Sequence, residues 1–113
     1  MKLGDYDYKI TNKDVKFIKT TDEFLVTVEL VAKNSFVDPE IGEISVSFAT
    51  TTPTLNNVVT NVPILFFIAE QVETYGTIEF YEDGSIYCHG RISPHWGNSL
   101  PDNVEFEFEI KGA

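Results

Sequence analysis

The stretch from Tyr75 to Ile92 constrains the fold of this chain more than any other part of the sequence. Two runs of β-branched and aromatic residues flank the turn-forming sequence Glu82-Asp83-Gly84. Such runs on either side of an Asp-Gly turn are typical of a β-hairpin. The sequence therefore predicts two antiparallel strands here, and a sheet for them to join.

The register of this hairpin follows from its alternation. A two-residue turn at Asp83-Gly84 would pair Phe80 with Tyr87. A three-residue loop, with Gly84 in the left-handed conformation of a bulge, pairs Phe80 with Ile86 instead. We predict the three-residue loop, because only that register separates the two faces cleanly. One face then holds Ile78, Phe80, Ile86 and Cys88, and the other holds Thr77, Glu79, Tyr87 and His89.

Alternation of apolar and polar residues predicts further strands on both sides of the hairpin. The clearest runs from Val104 to Ile110, where apolar residues alternate strictly with glutamates. Turn-forming residues separate the strands of the N-terminal half, at Asn12-Lys13-Asp14 and again from Thr20 to Glu23. The predicted strands span residues 5–10, 15–18, 24–32, 43–48 and 104–110, with a loop over 33–42 and an extended loop or edge segment over 50–61.

The stretch from Pro63 to Gly76 fits two secondary structures. As a helix it would begin at Pro63, end before Gly76 and gather its apolar residues on one face. Its start is, however, a short continuous apolar and aromatic run, which favours a strand buried on both faces. We predict the strand, whose second face needs a cover that another chain can provide. The candidate oligomer-interface residues are Ile64, Leu65, Phe66, Phe67 and Ile68.

About eight strands, no clear helix and no internal repeat predict an all-β fold. At 113 residues the chain has the size of one domain, which we place over residues 1–113. One flat sheet could not bury so many apolar faces, so we expect a small antiparallel β-sandwich or jelly-roll-like domain. The single cysteine, Cys88, lies on the apolar face of the hairpin and is predicted to be a core residue.

The charge of the chain is strongly negative and uneven. Residues 1–33 carry six lysines and six acidic residues, whereas residues 34–113 carry two basic residues against twelve acidic ones and therefore the whole net charge of −10. Such a surface repels nucleic acid and anionic membranes, so we expect neither as a partner. The longest uncharged apolar run, Val62 to Ala69, is too short to cross a membrane, and the N-terminus has no apolar signal core. We therefore expect a protein that is made without a signal peptide and is not inserted in a membrane.

The sequence shows no pattern typical of an enzyme. Its two histidines, His89 and His95, match no usual metal-ligand spacing, and neither a Gly-x-Ser-x-Gly motif nor a phosphate-binding glycine loop is present. The row of Glu105, Glu107 and Glu109 is better explained as the solvent face of a strand. We therefore predict no catalytic residue, no metal and no cofactor.

The segment from Ser93 to Asn103, between the hairpin and the last strand, holds the only tryptophan. An aromatic ring beside short amide, hydroxyl and carboxylate side chains suits sugar binding, through stacking and directed hydrogen bonds. Alternatively, Trp96 covers one end of the core and the polar residues form turns. The candidate ligand-binding residues are His95, Trp96, Asn98, Ser99, Asp102 and Asn103.

The order of these features is itself informative. A long β-branched strand and a one-sided strand lead to the loop around Pro53, then to the apolar run from Pro63 to Ala69, the hairpin G-T-I-E-F-Y-E-D-G-S-I and the final V-E-F-E-F-E-I. In this order the chain resembles the receptor-binding head domains of bacteriophage tail fibres, over most of its length. The L-P-x-G-Y-R-P segment of that family is missing, with only Asn61-Val62-Pro63 near its place.

The resemblance implies a non-enzymatic module of the virion, made in the host cytoplasm and located at the tip of a phage tail. Such a module binds a host cell-surface saccharide for attachment and works as a homotrimer. The residues leave two other functions open. The acidic surface fits a small inhibitor or interaction protein that binds a basic, nucleic-acid-handling partner. The other is a purely structural virion subunit without a ligand.

Overall fold

The computed structural model of the protein describes residues 1–34, 42–68, 70–92 and 104–112. These residues form nine β-strands and no helix, which confirms the all-β prediction. The strands are β1 (Lys2–Leu3), β2 (Tyr6–Asp7), β3 (Lys9–Lys19), β4 (Phe24–Lys33), β5 (Glu43–Thr52), β6 (Asn57–Ile68), β7 (Glu70–Phe80), β8 (Ile86–Ile92) and β9 (Val104–Ile110).

All nine strands belong to one antiparallel sheet, in the order β2-β1-β9-β8-β7-β6-β5-β4-β3. From β3 to β9 each strand pairs with the next along the chain, and the hairpin β1–β2 joins the free side of β9. The outermost strands, β2 and β3, are separated in sequence by Tyr8 alone. Because consecutive Cα atoms lie about 3.8 Å apart, the two edges of the sheet must meet at this residue.

The sheet therefore curls until it is nearly closed into a barrel. At the meeting edges, the side-chain amide of Asn34 donates a hydrogen bond to the backbone oxygen of Asp7 at 2.8 Å. Farther along, β1 pairs only with Phe106 and Glu107 of β9, and an opening remains between the rest of β9 and β3. The described residues do not form the two packed sheets of the expected β-sandwich or jelly roll, because curling lets one sheet bury its own apolar face.

The hairpin has the predicted register, with Phe80 opposite Ile86 and Ile78 opposite Cys88. Gly84 has φ = 87°, and its amide donates a hydrogen bond to the Tyr81 carbonyl at 3.0 Å, as the three-residue loop requires. The apolar side chains of the inner face are all buried. The alternation of apolar and polar residues was therefore sufficient to predict the register of this hairpin.

The N-terminal half departs from the sequence prediction at one turn. Asn12-Lys13-Asp14 lies inside β3, which pairs with β4 from Lys9 to Lys19 with a bulge at Thr11. The turn prediction was wrong because an edge strand, open to solvent on one side, tolerates residues that elsewhere indicate a turn. The segment 50–61 is also mostly strand, since β5 continues to Thr52 and β6 begins at Asn57.

In the stretch from Pro63 to Gly76, the described residues 63–68 and 70–76 are in strands, as predicted, and belong to β6 and β7. Leu65 and Phe67 point outward and are 36% and 55% exposed. Of the candidate interface residues, only these two belong to the outer surface, and the interface itself stays a prediction. The other three candidates point into the barrel and are fully buried: Ile64, Phe66 and Ile68.

Candidate binding surfaces

The predicted sugar-binding residues, His95, Trp96, Asn98, Ser99, Asp102 and Asn103, lie outside the described residues. They belong to the segment that joins Ile92, the end of β8, to Val104, the start of β9. On the outer surface of these paired strands lies a groove of about 480 Å³, which we call the β8–β9 groove. Its lining residues are Lys2, Gly4, Tyr87, His89, Gly90, Arg91, Glu105, Phe106 and Glu107.

Neighbouring side chains hold one another in place along this groove. The Tyr87 hydroxyl donates a hydrogen bond to Oε2 of Glu107 at 2.6 Å, and Nη2 of Arg91 donates to Oε1 of Glu105 at 2.6 Å. The rings of Tyr87 and His89 lie 5.2 Å apart between centroids, tilted by 30°. The hydrogen bond to the Glu107 carboxylate raises the pKa of Tyr87 to about 12. The phenol therefore stays protonated and is not an activated nucleophile at neutral pH.

Strand alternation and two glycines shape the groove. Gly90 occupies an inward position of β8, where a Cβ atom would lie 2.9 Å from the ring of Phe106. Gly4 turns the β1–β2 hairpin with φ = 60°, and its amide donates a hydrogen bond to the Glu105 carbonyl at 2.7 Å. The glycines thus bring β1 and β8 close to β9 and give the groove a floor that is partly backbone.

The charges of the described lining residues of the groove balance. Lys2 and Arg91 supply two positive charges, and Glu105 and Glu107 supply two negative ones. Such a lining offers hydrogen-bond donors and acceptors without a net attraction for ions of either sign. It suits a neutral ligand with several hydroxyl groups better than a phosphate or a basic peptide.

A second opening lies between β5 and β6, which pair only over Ser45–Phe48 and Ile64–Phe67. The next residue of β6, Pro63, has no N–H to donate, so the ladder stops there and the strands separate. A bulge in β6, where Asn61 has φ = 56°, lies just beyond this point. We call the opening, of about 480 Å³, the β5–β6 cleft. Its lining residues are Thr27, Val28, Glu29, Ser47, Phe48, Ala49, Pro63, Ile64, Leu65, Gln71 and Glu73.

The single cysteine lies in neither opening. Cys88 is fully buried in the core, as predicted, and burial raises the pKa of its thiol. Among the described residues, no group of three or more His, Cys, Asp or Glu side chains is placed to hold a metal ion.

No protein-family model, curated protein or solved structure matches this chain. The resemblance to tail-fibre heads is therefore untested by comparison, and the virion setting that it implies stays a proposal. Within the described part of the chain, no helix is long and apolar enough to cross a bilayer.

The sequence interpretation assigned no role to either opening. It placed Tyr87 and Glu107 on the solvent-facing sides of their strands, where the structure has them, but did not bring them together. Two features of the sequence could have indicated these openings. A glycine inside a strand, such as Gly90, often marks a close approach of another backbone, and a proline inside a strand, such as Pro63, marks an unpaired edge.

Proposed function

We propose that the protein is a non-enzymatic binding module of a phage virion that recognises a saccharide through the β8–β9 groove. The observation that carries the proposal is the balanced set of charged side chains around the neighbouring rings of Tyr87 and His89. The resemblance of the sequence to tail-fibre heads, in the order of its predicted strands and loops, supports the virion setting.

The groove fits the chemistry of sugar recognition. A sugar hydroxyl both donates and accepts hydrogen bonds, and the paired side chains of Arg91 and Glu105 offer a donor and an acceptor side by side. The aromatic rings of the groove supply apolar surface for the C–H face of the sugar. Trp96 belongs to the segment that begins directly after Ile92, and it is the further aromatic residue that we expect to contribute.

Binding of the full chain to a glycan array tests the proposal. We expect Tyr87→Ala to abolish glycan binding, while Tyr81→Ala preserves it, because Tyr81 is 42% exposed but does not line the groove. Circular dichroism checks that both variants keep the fold. Unchanged binding by Tyr87→Ala would exclude the groove, and loss of binding in Trp96→Ala alone would move the site to residues 93–103.

Salt separates this function from the binding of a basic partner. A neutral glycan binds almost independently of ionic strength, whereas attachment of a basic protein to a chain of net charge −10 weakens as salt is added. A steep loss of glycan-array signal with salt would therefore contradict recognition of a neutral sugar.

A further inference from the structure

We propose that the β5–β6 cleft binds a basic segment of a partner protein, in which one apolar side chain lies between two lysine or arginine side chains. The cleft and the β8–β9 groove have no described lining residue in common. The proposal therefore goes beyond saccharide binding and does not depend on it.

The cleft is apolar within and acidic at its two ends. Ala49, Pro63 and Leu65 form part of its walls, and Phe48 lines it from the side of the core. Glu29 is the one charged residue of the lining on β4, and Glu73 is the one on β7. Both glutamates are exposed, and the described residues of the lining include no lysine or arginine. The cleft therefore attracts positive charge at its ends and apolar groups between them.

The spacing of the two glutamates defines the segment. They belong to one row across four strands, in which Glu29 lies opposite Ser47, Ser47 opposite Leu65, and Leu65 opposite Glu73. Three strand spacings of about 4.8 Å put their backbones about 14 Å apart. Side chains four residues apart in an extended segment lie on the same side and about 13 Å apart. Two basic residues at that spacing, with an apolar residue midway, match the row.

The two carboxylates are available to a partner. No ion pair within residues 1–34, 42–68, 70–92 and 104–112 includes Glu29 or Glu73. A partner's basic side chains can therefore donate charge-assisted hydrogen bonds to them, and their alkyl stems can cover the apolar walls. By contrast, each of five other carboxylates lies beside a lysine, arginine or histidine: Asp14, Glu43, Glu79, Glu105 and Glu109.

Charge also selects the occupant. A second copy of this chain would bring another net charge of −10 against the same acidic ends, with repulsion between like charges. A basic segment gains attraction at both ends and covers Leu65, which is 36% exposed. We therefore assign the cleft to a basic partner rather than to self-association.

The test uses the full chain labelled with ¹⁵N and the synthetic peptide acetyl-G-R-S-L-S-R-G-amide. We expect the peptide to shift the backbone amide signals of Ser47, Ala49 and Leu65 and to leave the β8–β9 groove unchanged. The same peptide with glutamate in place of both arginines should not bind, and serine in place of the leucine should weaken binding. Raising the salt from about 0.05 M to about 0.5 M should weaken binding markedly.

Two double variants of equal net charge distinguish binding at the cleft from general attraction to the negatively charged protein. Glu29→Gln with Glu73→Gln should weaken binding about fivefold, the loss of two exposed ion pairs. Asp22→Asn with Glu82→Gln removes the same charge from exposed turns and should leave the affinity for the peptide within about twofold of the wild-type value. Equal losses in the two double variants, no detectable binding, or shifts confined to other strands would each overturn the proposal. A larger mass by light scattering that Leu65→Ser abolishes would assign the cleft to a second copy and overturn it as well.

Discussion

Replacing Gly90 by alanine tests whether the close approach of β8 and β9 depends on a missing side chain. A Cβ atom at this position would lie 2.9 Å from both Cε1 and Cζ of Phe106 and 2.9 Å from the Tyr75 carbonyl oxygen. Carbon atoms in contact normally lie about 3.5–4.0 Å apart. The ring cannot retreat freely, because it packs edge-on against Phe66 at 4.8 Å between centroids. The carbonyl oxygen belongs to the backbone of β7 and is also fixed.

The magnitude follows from two opposing effects. Forcing an extra methyl group into a packed core costs about 1–3 kcal/mol. Alanine also restricts the unfolded chain, which returns about 0.4–1 kcal/mol. We therefore expect Gly90→Ala to lower the free energy of unfolding by about 1–2 kcal/mol.

Urea unfolding followed by circular dichroism measures this change, with the slope of the transition unchanged. The double variant with Phe106→Leu should recover at least about 0.5 kcal/mol relative to additivity, because it removes the ring that the new methyl group meets. A Gly90→Ala protein as stable as the wild type would refute the reasoning. Strict additivity with Phe106→Leu would show that the ring is not the cause.

Three further predictions concern other parts of the barrel. Asn61 has φ = 56°, so Asn61→Ala should lower the free energy of unfolding by about 1 kcal/mol while Asn61→Gly does not, as urea unfolding can show. Burial raises the pKa of Tyr8 to about 12, and the hydrogen bond to Glu107 raises the pKa of Tyr87 to about 12. Between about pH 10 and about pH 12 the folded state therefore retains two protons that the unfolded chain loses near pH 10. Stability should therefore be complete below about pH 10 and fall as the pH rises towards about 12, with a shallower fall in Tyr87→Phe. Lys13 shares the inner face with Leu30 on the free edge strand, so Lys13→Val should increase self-association by dynamic light scattering, whereas Lys13→Glu should not.

The sequence was sufficient to predict those parts of the fold that depend on residues close together in the chain. Ile78 and Phe80 alternate with polar residues, and one register alone places them on the same face as Ile86 and Cys88. The last strand was equally clear, because its glutamates occupy every second position. Such patterns decide which side of a strand is buried without any knowledge of the partner strand.

The sequence was not sufficient to predict those parts of the fold that depend on residues far apart in the chain. Asn12-Lys13-Asp14 has the composition of a turn, and only its pairing with β4 keeps it extended. The choice between a sandwich and a barrel depends on Tyr8, since a single residue between the two edge strands forces the sheet to curl. Nothing in the local sequence states that β2 and β3 are the two edges.

The candidate surfaces follow the same division. Tyr87 and Glu107 could be placed on solvent faces, but their contact requires the pairing of β8 with β9. The two carboxylates of the cleft, Glu29 and Glu73, lie 44 positions apart in the sequence. Only the row of paired residues through Ser47 and Leu65 brings them to the same surface. In both surfaces, the side chains that lie together come from different strands and are far apart in the sequence.

The pairing of β1 with β9 also sets an order of events during synthesis. Leu3 is synthesised 103 residues before its partner Phe106. At about 5–20 residues per second, the N-terminal hairpin waits on the order of 5–20 s for that strand. During this time the nascent sheet has two unsealed edges, and the lysines of β3, together with its bulge, are what keeps one of them from pairing with a neighbouring nascent chain.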